Sequence, residues 1–329
     1  MPKAPSRKSY KDSIRKLQAD RSSKVIVYVT GEKKPANLFA TQMSTDVLDL
    51  FFLHLRKMGK PKKISLLLHT SGGHLSAPWP LVNLLREFCG TLEILIPVKA
   101  LSAGTLLCLG ADKIVMTPRS SLGPVDPQGV FRIEGKRIDV QIEDIMGYLR
   151  FVKEKVGIRD QAFLTEALKE LTSKVPPQIL GSIERTHAFI GKLSKDLLRL
   201  HMKDEKRINE IVNNLTQDLF YHQHLISRRE ARDSIGFGKR IEFADAEITD
   251  SIEECFGLYA KELELDAVFD PGAILSESKY ELGGNPIKYT ATRAIIESEK
   301  ELHKFESDIL ISKDQKDQIK IDTKISIWR

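Results

Sequence analysis

Four short apolar runs, rich in β-branched residues or leucine, recur through the first third of the chain: "VIVYV" (25–29), "ISLLL" (64–68), "LEILIPV" (92–98) and "KIVM" (113–116). The first two gaps between them carry apolar residues at helical spacing: Val47, Leu50, Phe51, Leu55 and Met58, then Leu81, Leu84, Leu85 and Phe88. Gly59 with Pro61 behind it ends the first helix, and Gly90 ends the second. Runs that are apolar throughout, instead of alternating, suit strands covered on both faces. Strand, helix, strand in this rhythm restricts the fold to α/β with a parallel sheet, since parallel neighbours need a crossover. In such a sheet, sites collect at the carboxyl ends of the strands.

Beyond about residue 140 the pattern turns to long helices. Ile142, Ile145, Leu149, Val152 and Val156 form one apolar stripe, Ile179, Ile183, Ile190, Leu193 and Leu197 a second, and Ile208, Ile211, Leu215 and Leu219 a third. The polar end closes on the alternating "DQIKIDTKISIWR" (317–329), which reads as strand. "RAIIESEKELHKFESDILI" (293–311) fits helix and hairpin almost equally, with a lean to hairpin. At 329 residues the chain has room for two domains, or for one large domain with an appendage. The expected division is a basic flexible tail (1–20), a main domain (21–265) with a helical insertion at about 140–220, and a β-rich extension (266–329).

The net charge of +6 is concentrated in "MPKAPSRKSYKDSIRK" and "RKMGKPKK", with no interleaved aromatic stripe, which argues against a nucleic-acid groove. Three widely spaced cysteines, Cys89, Cys108 and Cys255, suit reduced thiols in the cytoplasm. No apolar stretch reaches the roughly 18 residues of a membrane span, so stable membrane insertion is not expected. The histidine spacings match no zinc motif, and neither metal nor cofactor is expected.

Two turns at strand ends carry the chemistry. In "HTSGGH" (69–74), Gly72 and Gly73 allow positive φ and bring amides close to a ligand; as a plain tight turn they would do nothing more. In "ALSAGTLLCLGAD" (100–112), Ser102 stands where a strand passes into a helix, with small residues Ala103 and Gly104 leaving space above it. That serine is either a simple N-cap or a nucleophile at a helix N-terminus. His69 at a strand end reads as a core histidine bonding a backbone carbonyl.

Together, "HTSGGH", "LSAGT" (101–105), "ADKIVM" (111–116) and "LGPVDPQ" (122–128) resemble the Clp protease proteolytic subunit and crotonase superfamily. The resemblance is nearest to the serine dehydrogenase proteinase branch, related to signal peptide peptidase A. "YHQHLISRREARDSIGF" (221–237) is similar to that family's closing motif, so the likeness runs over about residues 24–240. It implies a Clp/crotonase-like parallel sheet of repeated ββα units, a helical region after it, and a homo-oligomer.

The resemblance also implies roles. Ser102 becomes the nucleophile of an ATP-independent serine endopeptidase, and amides of Gly72 or Gly73 and of Ala103 form its oxyanion hole. The base stays open. Where the Clp subunit has its histidine this chain has Asp126, and His222 falls near the place of the third triad member, so His222 oriented by Asp126 is one candidate. A lysine is another, with Lys136 and Lys155 the nearest available and Lys153 beside the latter; a chain without a competent base is the third. His224 reads as structural. The implied substrate is a peptide or unfolded segment. The competing classes are a catalytically inactive peptide- or protein-binding scaffold and a crotonase-type acyl-CoA enzyme.

Overall fold

The four apolar runs are strands of one sheet. They form β1 (Lys24–Thr30), β2 (Lys63–His69), β3 (Thr91–Ile96) and β5 (Lys113–Met116), all parallel. The computed structural model describes residues 6–125, 128–133, 136–141, 145, 147–148, 150–158, 160–216 and 224–329; over 128–133 and 136–141 only the backbone is described. The crossovers are α3 (Leu48–Met58) and α4 (Pro78–Phe88), preceded by α1 (Arg7–Arg21) and the single turn α2 (Ala36–Phe39). The short strand β4 (Lys99–Ala100) and helix α5 (Ala103–Leu109) follow β3, and β6 (Ser121–Leu122) follows β5. β3 and β5 thus each hand the chain to a short strand, whereas only isolated bridges, at Met43 and Thr70, follow β1 and β2.

Both faces of the sheet are covered, which is why its strands are apolar throughout. Ile26, Leu66, Leu68, Ile94 and Ile114 face one core with α3, α4 and α5. Val25, Val27, Leu67, Leu95 and Val115 face a second core on the opposite side.

That second core overturns the expectation of a flexible tail (1–20) for residues 7–20. Residues 7–21 are helix α1, whose Tyr10, Ile14 and Leu17 recur at helical spacing and are buried against Ile252, Cys255, Phe256 and Tyr259. The many charges of this segment occupy the other face. At the helix end Arg21 reaches Glu93 in the middle of β3, with Nε 3.0 Å from Oε1, while the Ser65 hydroxyl donates to the same oxygen at 2.7 Å. Burial alone would raise the Glu93 carboxyl, and Arg21 and Ser65 hold it below its ordinary range. A buried carboxylate of this kind tolerates no loss of its partner.

The extension expected over 266–329 is β-rich, but its strands join the main sheet instead of standing apart. The hairpin β11 (Ile287–Ser298) and β12 (Leu302–Lys313) lies on the segment whose pattern fits helix almost as well, and β13 (Ile319–Trp328) follows it. β11 pairs antiparallel with β1, so the eight-stranded order is β10-β5-β3-β2-β1-β11-β12-β13, where β10 is Ile241–Phe243. A hairpin of β7 (Gln128–Ile133) and β8 (Lys136–Gln141) stands where the sequence reading places only a loop and the start of the helical region.

In the helical region, α6 (Gln161–Lys174) has no fully buried residue and packs only Leu171 beside Ile145 and Ile183, whereas α7 (Pro177–Arg199) and α8 (Glu205–Thr216) bury Ile190, Leu193, Leu197, Ile208, Ile211 and Leu215 in the first core. Those two stripes are therefore spent within the chain. In the first stripe Ile145 and Val152 are buried and Val156 is exposed; Ile142, Leu149 and Leu219 lie outside the described residues. The chain continues through β9 (Ile226–Ser227), α9 (Arg228–Asp233), α10 (Ala246–Glu262) and α11 (Pro271–Glu277).

Two histidines make this fold acid-sensitive. His54 sits between Ser298 (Nδ1 to Oγ 2.8 Å) and His303 (Nε2 to Nδ1 3.1 Å), and His201 places Nε2 2.6 Å from the Leu109 carbonyl. Burial pushes both down to about 4. The unfolded chain takes up these protons from about pH 6.5 downward, the folded chain only near pH 4, so their stabilisation is complete above about pH 6.5 and fades on acidification. The melting temperature is expected to fall steadily from pH 7 to 4.5, and less steeply in His201→Gln. A flat profile in the parent protein contradicts this.

Candidate active site

Ser102 ends the connection from β4 and starts α5 with φ 50° and ψ −112°, a backbone conformation that side-chain-bearing residues seldom adopt. Its side chain makes no capping hydrogen bond to the helix behind it, so the N-cap alternative is not what the geometry holds. Strain of this kind persists only where neighbours fix it. Thr105, one turn on, is one such neighbour: its Oγ1 accepts from the Gly123 N–H at 3.1 Å and lies 2.9 Å from the carbonyls of Ala100 and Gly123.

The glycine pair meets the serine directly. A Cβ on Gly72 would lie 2.8 Å from the Leu101 carbonyl oxygen and 2.9 Å from the Ser102 Cβ. The segment is clamped from both sides. Thr70 donates its N–H to the Lys99 carbonyl and accepts from Leu101, while on the other side Met43 donates to Gly72 and accepts from His74. The Gly72 N–H donates to Thr70 Oγ1 at 3.0 Å and is thereby engaged. Among the described residues, the N–H groups of Gly73 and Ala103 have no acceptor. Because the bonds to Met43 use Gly72 and His74, the Gly73 N–H is directed away from Met43.

Ala103 and Gly104 do not provide the space expected of them. Both are fully buried, and a Cβ on Gly104 would meet the Thr70 methyl at 2.6 Å, so their smallness serves the packing of α5 on the end of β2.

Room for a ligand lies on the other side of the serine. A cavity of about 250 Å³ is lined by Ser71, Ser102, Gly123, Pro124, His224 and Leu225. Ser71, on its wall, donates to Glu32 at 2.8 Å, and Lys99 pairs with the same carboxylate at 2.5 Å. Burial would raise Glu32, but His69, Lys99 and Ser71 hold it down to about 2.

A family model for ClpP-like SDH-type serine proteinases matches residues 3–133. The uncharacterized protein MJ0137 of Methanocaldococcus jannaschii is 34% identical over 227 residues, 67% of this chain and 70% of that protein. The chain belongs to the ClpP-like SDH-type serine proteinases. A second protein of that archaeon, MJ1495, is 30% identical over 64% of this chain and 65% of its own length. Among solved structures, the SDH-type chain is similar to the 1510-N membrane-bound stomatin-specific protease (22% identity, 38% of this chain and 64% of that one, TM-score 0.27). It is also similar to a ClpP1 variant from Listeria monocytogenes (13% identity, 70% and 98%, TM-score 0.39). Likenesses at this level say nothing about substrate.

The remaining sequence candidates of this SDH-type proteinase divide sharply. Asp126 and His222 lie outside the described residues. Lys136 is on β8, where only the backbone is described, and Lys155 closes an exposed helical turn (Phe151–Lys155) beside Lys153, away from the serine cavity. His69 is buried as expected, but it packs on the Phe256 ring, 4.8 Å between centroids, and its Nε2 faces Glu32 Oε1 at 3.5 Å instead of a backbone carbonyl. Sequence reasoning did not single out Thr70 and read His224 as structural; the structure places His224 on the wall of the cavity that Ser102 lines. His224 stands two residues from His222, and its place becomes visible only through strand pairing. Among the described residues no helix is long and apolar enough to cross a membrane.

Proposed function

We propose that this chain is a serine endopeptidase that needs no ATP, with Ser102 Oγ attacking a peptide carbonyl to form an acyl-enzyme. The observation that carries the reading is the strained, uncapped Ser102 held against the glycine turn at the wall of a cavity. A nucleophile on a sharp strand-to-helix turn presents its hydroxyl clear of the backbone. The Ala103 amide and that of Gly73 are the proposed oxyanion donors, Gly72 being occupied by Thr70. Each such donor contributes about 3–4 kcal/mol to transition-state stabilisation.

A cavity of about 250 Å³ admits one or two side chains and no folded surface, which supports peptides or unfolded segments as substrate. We further propose a cytoplasmic homo-oligomer. The exposed Phe163 and Leu168 of α6 and Phe189 of α7 are the surface that supports association.

Reaction with a fluorophosphonate tests the reading. The expected result is a single phosphonylated serine at 102, mapped by mass spectrometry and absent from Ser102→Ala. An unlabelled parent protein that stays folded would support the inactive scaffold; retention on a CoA column would then favour the acyl-CoA class.

A further inference from the structure

We propose that His224, oriented by Glu230, is the general base for Ser102, an assignment that rests on reading Ser102 as the nucleophile. The small sheet β4-β6-β9 carries the inference. β4 runs parallel to β6 and β6 antiparallel to β9, with Ala100, Leu122 and Ile226 in one row. Ser102 is two residues beyond that row and His224 two residues before it, so both stand at the same end of the sheet. The cavity lined by Ser102 and His224 opens at that end, between Gly123–Pro124 and Leu225. Two strand spacings, about 9–10 Å between backbones, separate β4 from β9. A serine and a histidine side chain joined by one hydrogen bond cover about that distance.

Glu230 sets which ring nitrogen can act. Nε2 lies 2.6 Å from Glu230 Oε1, and because a carboxylate only accepts, Nε2 donates there and Nδ1 is the nitrogen left for the serine proton. Glu230 is fixed in turn by a capping box at the start of α9, where its backbone N–H donates to Ser227 Oγ at 3.3 Å and its Oε2 accepts from the Ser227 N–H at 3.4 Å. The ring is part-exposed, so a bound peptide can bring it up to the serine, as catalytic contacts commonly tighten on binding.

In the reaction, the Ser102 Oγ–H proton passes to His224 Nδ1 as the Oγ–C bond forms and the carbonyl π pair moves to oxygen. The imidazolium then gives that proton to the departing amine as the C–N bond breaks. Water repeats the sequence on the ester and restores the serine. Glu230 stays ionised and acts as a positioning residue.

The experiment uses the full chain, with fluorophosphonate labelling rates and hydrolysis of an unstructured peptide. His224→Gln is expected to slow both about 100- to 10,000-fold. His224→Gly is expected to regain labelling when free imidazole is added, which a merely structural histidine would not show. Glu230→Gln keeps the capping box and removes the charge; it is expected to lower kcat about tenfold or more with KM little changed. Labelling of His224→Gln at the parental rate overturns the proposal while leaving Ser102 as nucleophile, as does a His222→Gln variant that alone loses activity. If the parent does not label at all, the nucleophile reading has failed, and this assignment with it.

Discussion

Ser102→Gly is expected to melt at a higher temperature than the parent protein and to lose all reaction at that position. The backbone at Ser102 sits at φ 50° and ψ −112°, where a side chain costs about 1–3 kcal/mol and glycine costs little. Because the hydroxyl caps nothing, no stabilising bond disappears with it. The more flexible unfolded glycine chain takes back about 0.5–1 kcal/mol. A net gain near 1 kcal/mol remains, about 2 °C for a chain of this size. Ser102→Ala is the informative partner: it is equally unreactive but keeps a Cβ in the strained conformation, so its melting point stays near that of the parent. A natural protein that retains a destabilising residue at one turn does so where function needs it. Should Ser102→Gly melt lower than the parent, the turn is held by the hydroxyl and the strain account is wrong.

The sheet was legible because its physics is local. A strand covered on both faces must be apolar at successive positions, and "VIVYV" and "ISLLL" can hardly be anything else. The serine and glycine turns were legible for a similar reason, since positive φ and small side chains leave their mark on the residues themselves. Helix α1 was hidden by its own charge: its buried Tyr10, Ile14 and Leu17 are outnumbered by lysines and arginines on the opposite face, and Arg21 shows its purpose only once Glu93 is seen beside it. The last strands were misplaced as an appendage because pairing of Ile296 with Tyr28 joins residues far apart in sequence, and no local pattern records it. His224 reads as structural from sequence on the same ground. Its position opposite Ser102 depends on Ile226 pairing with Leu122, a contact across about a hundred residues. Small side chains at 103 and 104 read as room for substrate, yet both residues are buried and the space above Gly104 is filled by the Thr70 methyl, a packing fact that composition alone does not distinguish.

The second large effect is expected from one methyl group. Gly72→Ala sets a Cβ 2.8 Å from the Leu101 carbonyl oxygen, 2.9 Å from the Ser102 Cβ and 3.4 Å from the Ala103 nitrogen, at a φ of 107°. None of these neighbours is the far end of a flexible side chain, so the strain cannot be relieved by a rotamer change. Moving the 70–74 segment instead would break the bonds that Met43 makes to Gly72 and His74. The unfavourable φ costs about 1–2 kcal/mol, and forced displacement of packed backbone adds about 1–3 kcal/mol. The expected loss is therefore about 2–5 kcal/mol by urea denaturation, together with a fall of about 100-fold or more in fluorophosphonate labelling, since a shift near 1 Å at a reacting group is worth that much. Gly90→Ala is the control, because its Cβ meets only the Lys62 carbonyl at an ordinary 3.5 Å. Loss of stability in Gly72→Ala with full retention of labelling would show that the glycine turn braces the fold without shaping the serine. If the turn and the hydroxyl form one site, Gly72→Ala loses both stability and labelling while Gly90→Ala keeps both.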